Sequence, residues 1–489
     1  MENQKHDTLS GSFSRSTGLL GSWKRYNYKL DWPFLIEYSD DANKEKSRWD
    51  LNSCQVLDSE DPRKPFCLKL TDSNKKKYLF KFDNEKDFTH WFNKLKNEIQ
   101  SKIQCPTTTN LTLDDFVFIR CIGRGTFGKV NLVRQKSTGQ LFALKAMSKR
   151  LLAEEDNIQQ ILVEREILFQ NKHPFLVSAS FTFQTDTKVF IGLEYVPGGE
   201  LFGRLKEEGR ISESRARLYA AEMLLGLAHL HKHGFIYRDM KPENILVDAD
   251  GHLKITDFGF AKGNITNERK TTRTFCGTPE YLAPEVLKQR PYTRSVDWWS
   301  YGVILYEMLT GLPPFYDTNP KKMYMGILFD PLRFPKFFSR RTIDICMKLL
   351  DRDAKRRLGA GPSDAEEIMN HPFFSEINWD YVLEKKYKPE WIPPIKDETD
   401  TSNFDTEFTN QPIAVSYEDP ELVPEDAQSA FIGFTCNQEE QSVIEASFND
   451  DYIGESVIPT NQNFYFMDEE EMKEEIEDKN KLEADSDDN

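Results

Sequence analysis

The sequence predicts an α+β chain, and three observations carry that prediction. Short apolar runs, two of them alternating at period two, are closed by an amphipathic helical stretch before residue 103. A glycine-punctuated hairpin at 123–144 precedes a second helical stretch at 158–168. Beyond Phe374 the chain turns polar and acidic, with too little apolar content for a core of its own. A length of 489 residues leaves room for several such units.

In the first unit, Trp32-Pro-Phe-Leu-Ile36, Phe66-Cys-Leu-Lys-Leu70 and Tyr78-Leu-Phe-Lys-Phe82 read as strands. Polar turns separate them at 39–43, 58–62 and 71–74. Phe88, Trp91, Leu95 and Ile99 then step by three, four and four, which places them on one helical face. Strands capped by a final helix with a central Trp resemble a pleckstrin-homology (PH) domain, with Trp23-Lys-Arg-Tyr-Asn-Tyr28 as its second strand. The resemblance implies a small β-barrel with a C-terminal helix over 15–103, after a disordered 1–14 and before a linker at 104–115. It also implies a phosphoinositide membrane surface as a partner, but the residues are divided on this. Lipid-binding members carry a lysine late in strand one and a Lys-x-Arg in strand two. Gly18-Leu-Leu-Gly-Ser22 has no lysine, and Tyr26 stands at the second basic position. Lys24, Arg25 and Lys75-Lys-Lys77 offer a phosphate-binding patch, while packing or protein contact stays open as the alternative use.

The second unit opens on Gly123-Arg-Gly125-Thr-Phe-Gly128-Lys-Val130. A dinucleotide site with this spacing needs a helix directly after the glycines. Here Val130 and Leu132 alternate, Ser137-Thr-Gly139 turns, and Leu141-Phe-Ala-Leu144 starts a second apolar run, so the glycines sit on a hairpin. Lacking Cβ, their backbone lets N–H groups approach phosphates. Further on, Tyr237-Arg-Asp-Met-Lys-Pro-Glu-Asn244 is followed after thirteen residues by Asp257-Phe-Gly259. Phosphoryl transfer needs this set: a carboxylate for the attacking hydroxyl, a lysine for the moving charge, and an amide with a second carboxylate for Mg²⁺.

These motifs resemble the eukaryotic protein kinases over 116–374, which implies a bilobal fold with a β-rich N-lobe and an α-rich C-lobe. The resemblance assigns Asp239, Lys241, Asn244 and Asp257 to catalysis, with Asn244 and Asp257 on the metal. It assigns Ile122, Gly123, Gly125, Gly128, Val130, Ala143, Lys145, Glu164, Glu194 and Val196 to ATP. Within that set Lys145 meets the phosphates, Glu164 on the second helix pairs with it, and Glu194-Tyr-Val196 is the hinge. Glu285 of Ala283-Pro-Glu285 is expected to pair with Arg357, and Asp297 to brace the catalytic loop. Lys241 two residues after Asp239, with Thr278 ahead of Ala283, matches serine/threonine kinases. Tyr237 in place of the usual histidine points to the AGC group, its ring expected to stack on Phe258. Glu200 and Glu243 stand where relatives present carboxylates to a substrate arginine, beside Thr278. A pseudokinase scaffold fits less well, because Lys145, Asp239 and Asp257 are all present.

Three islands mark the tail, expected over 375–460. Asn403-Phe-Asp405 with Phe408 resembles the segment that crosses the nucleotide cleft in AGC kinases. Ser416 falls at the turn-motif phosphosite, and Phe431-Ile-Gly-Phe434-Thr435-Cys436 resembles the hydrophobic motif, with Cys436 replacing an aromatic. Thr274 and Thr435 complete the expected phosphosites. PH-like domain, kinase and tail in this order resemble the RAC/Akt type.

Charge is uneven along the chain. Residues 397–489 hold 28 Asp or Glu against three Lys and no Arg, a net of −25, so the remainder of this −16 chain carries about +9. An acidic disordered tail is expected over 461–489, and no nucleic acid is expected as a partner. Seven cysteines without CxxC spacing suggest neither disulfides nor zinc. The first thirty residues lack a signal-peptide core, and no window reaches the roughly 20 apolar residues of a spanning helix. The expectation is a monomeric cytoplasmic enzyme, recruited to the plasma membrane, that uses ATP and Mg²⁺. Its partners would be upstream activating kinases and protein substrates with Arg before the acceptor Ser or Thr.

Overall fold

The computed structural model describes residues 9–17, 22–31, 34–38, 45–51, 55–58, 66–71, 76–101, 111–125, 127–263, 272, 274, 276–413 and 419–437. Two compact units carry this structure, chiefly Met1–Leu111 and Thr112–Phe434. Ser416 and the acidic 461–489 lie outside the described residues.

The first unit is one antiparallel sheet with a helix. Its strands are β1 (Leu9–Thr17), β2 (Ser22–Asp31), β3 (Phe34–Tyr38), β4 (Glu45–Asp50), β5 (Gln55–Asp58), β6 (Cys67–Thr71) and β7 (Lys77–Lys81), in the order β4-β3-β2-β1-β7-β6-β5. Helix α1 (Glu85–Ser101) follows and lays Trp91 and Leu95 into a core with Phe13, Tyr28, Leu35, Phe80 and Phe82. The sheet begins at Leu9, which corrects the expectation of disorder over 1–14. β1 pairs with β2 from Leu9↔Leu30 to Thr17↔Ser22. Its Ser-rich sequence carries almost no apolar pattern, so backbone pairing makes the strand and Phe13 alone anchors it deep in the core. Gly11 has a packing reason: a Cβ there would stand 2.9 Å from Trp91 Nε1.

In the second unit, β8 (Phe116–Gly125), β9 (Gly128–Gln135), β10 (Leu141–Ser148), β11 (Ala179–Gln184) and β12 (Lys188–Glu194) pair antiparallel in the order β11-β12-β10-β9-β8. Between β10 and β11 run α2 (Lys149–Glu154) and α3 (Ile158–Gln170). The remainder is mostly helical: α4 (Leu201–Glu208), α5 (Glu213–Lys232), a hairpin of β13 (Ile245–Val247) and β14 (Leu253–Ile255), then α6 (Pro284–Leu287), α7 (Ser295–Thr310), α8 (Pro320–Phe329), α9 (Arg340–Leu349) and α10 (Ala365–Met369). Ser212 starts α5 by accepting a bond from Arg215 N. α7 is buried on nearly all sides and is the central post of this half, with Trp298, Trp299 and Tyr301 fully buried. It ends at Gly311, whose φ of 89° and close approach to the Gly209 carbonyl leave no room for a Cβ. Short helices α11 (Trp379–Leu383), α12 (Thr406–Thr409) and α13 (Glu425–Ala430) punctuate the tail. Among the described residues no helix is long and apolar enough to cross a membrane.

Candidate active site

The glycine segment is the turn between β8 and β9, with Gly125 opposite Gly128. A Cβ on Gly128 would collide with the Ala146 carbonyl of β10, whereas Gly125 faces open space. Gly128 is therefore required by the neighbouring strand, and Gly125 is the glycine whose surroundings are free.

Lys145 lies on β10 and reaches Glu164 Oε1 of α3 at 2.6 Å and Asp257 Oδ1 at 3.3 Å. Burial alone would lower the lysine, but the two carboxylates outweigh it and hold it above its ordinary value. Glu164 is 1% exposed, and its Oε2 has no hydrogen-bond partner among the described residues. Asp257 adopts a positive φ of 57°, and Lys145 first of all keeps its carboxyl below the usual range. Ile122, Ala143 and Val196 are buried and Val130 is half-buried. The Glu194 carboxylate does not face a ligand: it binds Ser178 N and Lys254 Nζ, each at 3.0 Å. Its backbone N–H is taken as well, by the Ser178 carbonyl at 3.1 Å.

The catalytic loop hangs from α7. Asp297 accepts from the backbone of Tyr237 at 2.9 Å and Arg238 at 2.8 Å, so the chain can hold Arg238 at φ 70° just before Asp239. Asp239 is buried and bonded by Asn244 Nδ2 (2.7 Å), Lys241 Nζ (3.1 Å) and Thr278 Oγ1 (3.2 Å). Burial pushes its carboxyl up, against the pull of Lys241. Lys241 also donates to Thr278 at 3.0 Å. Asn244 spends its NH₂ on Asp239, which leaves its oxygen as an acceptor. That oxygen and the ionised Asp257, 48% exposed, are hard donors suited to Mg²⁺. Among the described residues no three His, Cys, Asp or Glu could form a metal cage, so the remaining ligands would come from nucleotide and water. Tyr237 meets Phe258 edge-on at 5.8 Å and 75°, not stacked as expected, because its hydroxyl is drawn to the Thr256 carbonyl at 2.5 Å.

The protein kinase domain family model matches residues 116–374. The chain belongs to the protein kinase family. The protein kinase C terminal domain matches 395–436 and the PH domain 7–100. It is 48% identical over 331 residues to the serine/threonine-protein kinase YPK1 of Saccharomyces cerevisiae, covering 68% of this chain and 48% of that one. It is 45% identical over 306 residues to the RAC-beta serine/threonine-protein kinase of Homo sapiens, covering 63% of each. It is 41% identical over 362 residues to the RAC family serine/threonine-protein kinase homolog of Dictyostelium discoideum, covering 73% of this chain and 81% of that one. The first two matches thus span about half and under two thirds of those relatives. The tail match and these relatives place the kinase in the AGC group of serine/threonine kinases.

Kinase and tail are bound by specific contacts. Tyr195 donates to the Asp400 carbonyl at 2.7 Å and stacks on Phe404, and Asn403 donates to the Pro197 carbonyl at 3.1 Å. Phe431 and Phe434 are both buried, and their carbonyls are taken by Gln184 (2.8 Å) and Thr182 (2.5 Å). Arg165, next to Glu164 on α3, lies 5.6 Å over the Phe434 ring. Cys436 is buried, as are the four other described cysteines. Glu285 and Arg357 form a two-pronged pair at 2.6 and 2.9 Å.

The remaining predicted residues are less closely knit. Thr274 is half-buried, its carbonyl bonded by Tyr292 OH at 2.6 Å, while Arg238 reaches that hydroxyl only at 3.4 Å. Glu200 is raised to about 7 by burial, then by Glu243 and by Asp405 of the tail, whose nearness to Glu200 the sequence does not reveal. Asp405 sits before α12 and accepts from Glu407 N; only its place beside Phe404 hinted at a role. In the first unit the late basic residue of β1 is Arg15, missed because that strand was not read. Arg15, Lys24 and Lys46 all lie within 6 Å of the Tyr26 ring, at 5.7, 5.7 and 4.4 Å. Arg25, expected in this patch, instead pairs with Asp83 at 2.8 Å. Lys75 lies outside the described residues.

Proposed function

We propose that the protein transfers the γ-phosphoryl of Mg-ATP to serine or threonine in protein substrates carrying arginine upstream. The observation that carries this reading is the bonding of Asp239 with Lys241 and Thr278, beside the Lys145–Glu164–Asp257 chain. Asp239 would orient the acceptor hydroxyl, and its raised basicity suits it to take the proton. Lys241 would neutralise charge on the moving group, and Lys145, fixed by Glu164, would hold the nucleotide phosphates. Mg²⁺, held by Asn244 and Asp257, would supply charge neutralisation between the phosphates. Ile122, Val130, Ala143 and Val196 would enclose the base. Glu200 and Glu243 would take the substrate guanidinium, a charge-assisted contact about twice as strong as a neutral one. Peptide-library phosphorylation by the purified full-length protein tests this; a profile without basic preference upstream of the acceptor would reject the substrate assignment.

Activation is expected to require phosphate on both Thr274 and Thr435. Phosphate on Thr274 adds roughly −1.5 to −2 charge near Arg238 and would order the activation loop. Phosphate on Thr435 would secure the Phe431/Phe434 pair against α3, whose Glu164 grips Lys145. Because both favour one conformer, the losses in Thr274→Ala and Thr435→Ala should not add. Strictly additive losses in that cycle would argue against coupling through α3.

The three cations around Tyr26 favour a second reading, an anionic headgroup site on the PH domain. Arg15 and Lys24 are direct cross-strand partners, with Arg15 also paired to Glu37 at 2.8 Å, so Lys24 and Lys46 would carry most of the contact with a phosphate. Recruitment from the cytoplasm to the plasma membrane would follow. Sedimentation with phosphoinositide vesicles should fail for the double variant Lys24→Glu, Lys46→Glu; unchanged sedimentation would leave the domain to protein contacts.

A further inference from the structure

Behind the catalytic loop, His231 near the end of α5 is buried between two carboxylates. Its Nε2 is 2.8 Å from Asp297 Oδ2 of α7, and its Nδ1 is 3.1 Å from Asp364 Oδ2. Both ring nitrogens face acceptors, so only the doubly protonated ring satisfies both contacts. Burial alone would lower its pKa, but the two hydrogen bonds hold it up at about 9. Asp297 is the same carboxylate that accepts the amides of Tyr237 and Arg238.

Asp364 occupies a position at which an aspartate is costly. Its φ is 49° and ψ −123°, a backbone region suited to glycine. It precedes α10 yet makes no side-chain bond to that helix's own amides. Its carboxylate is instead spent on His231, on Trp298 Nε1 at 2.8 Å and on Arg294 Nε at 3.1 Å. Trp298 follows Asp297 on α7 and Arg294 precedes that helix, so two of the contacts lie at the start of α7 and the third reaches Asp297 through His231.

We propose that Asp364 is a positioning residue for phosphoryl transfer: it holds His231 charged, and His231 in turn holds Asp297 on the amides that set Asp239. The inference rests on the kinase reading above for its catalytic consequence, but the clamp itself can be observed without activity. The groups that face His231 are Asp297 from α7 and Asp364 before α10, the latter balanced by Arg294. A raised folded pKa stabilises below the unfolded value near 6.5, and the contribution is lost as pH rises through about 9.

Two variants of the full-length protein separate positioning from folding. Asp364→Asn removes charge at constant shape, and Asp364→Gly removes the side chain while relieving the backbone. Hydrogen–deuterium exchange of the segment Phe235–Met240 should quicken about tenfold in both, since the amides lose a firm acceptor. The ring of His231, followed by nitrogen-15 resonance and assigned with His231→Asn, should titrate at lower pH. In the kinase assay kcat should fall about tenfold, with KM for ATP within about twofold, and the alkaline limb of the kcat profile should move down in pH. Unchanged exchange and an unchanged His231 titration in both variants would overturn the proposal. So would full kcat in Asp364→Gly. A wild-type protein without phosphoryl transfer would sink the kinase reading alone, while exchange and titration would still judge the clamp.

Discussion

Glu37 in the PH domain and Glu164 in the kinase domain are both buried acids facing a cation, yet they are treated differently. Glu37 is 0% exposed, and its two oxygens accept from Arg15 Nε (2.8 Å), Arg15 Nη2 (3.2 Å) and Tyr28 OH (2.9 Å). Both oxygens therefore have partners. Glu164 has one oxygen on Lys145 and the other without a partner among the described residues, as has Glu243 Oε2 in the catalytic loop. Lys145 uses two of its three donors on carboxylates. A fully bonded buried charge serves the fold. A buried charge with capacity to spare costs stability and is tolerated where a ligand, or a second conformer, will use it.

The largest expected effect breaks the kinase side of the comparison. Asp239→Asn should lower kcat about 10²–10⁴-fold while leaving ATP affinity nearly unchanged, because the carboxylate acts on the acceptor hydroxyl. Near-normal turnover would remove Asp239 from the catalytic assignment. On the other side, Glu37→Ala leaves Arg15 and Tyr28 facing an emptied buried site. It should destabilise the PH domain by about 3–5 kcal/mol, read from its urea midpoint. A loss under about 1 kcal/mol, typical of an exposed ion pair, would mean that water already reaches Glu37.

Phe431→Ala should come next. The ring is fully buried, so its removal forfeits roughly 1.5–3 kcal/mol of docking and loosens α3. Activity of the doubly phosphorylated protein should drop about tenfold, and added hydrophobic-motif peptide should restore part of it. The mildest effect is one of pH. As pH falls through about 7 the Glu200 carboxyl takes up a proton and loses the charge a guanidinium needs. KM for an arginine-bearing peptide should therefore rise below that pH, and the dependence should flatten in Glu200→Gln. An equal dependence in both proteins would assign the titration elsewhere.

Much of the kinase unit was legible because its chemistry is local in sequence. Asp239, Lys241 and Asn244 share one loop, and Asp257 follows a short hairpin, so their close spacing carried the resemblance to kinases that assigns their roles. Periodicity put Lys145 on a strand and Glu164 on a helix, and the resemblance to kinases supplied their pairing. The PH domain was read only in part. Periodicity marked β6, β7 and α1, while the Ser-rich β1 and the charged β4 carry no alternating apolar signal and went unread. Arg15 and Lys46 were lost with those strands.

What the sequence by itself determined is the identity of the reacting groups and the order of the domains, since both depend on short-range spacing and on side-chain chemistry. Tertiary structure alone decided which charges are satisfied. It turned the Glu194 carboxylate away onto Lys254, brought Asp405 of the tail near Glu200, and set His231 between Asp297 and Asp364, residues 66 and 133 positions away. Hydrogen-bond satisfaction is a property of distance and burial, and neither is written in the spacing of residues so far apart along the chain.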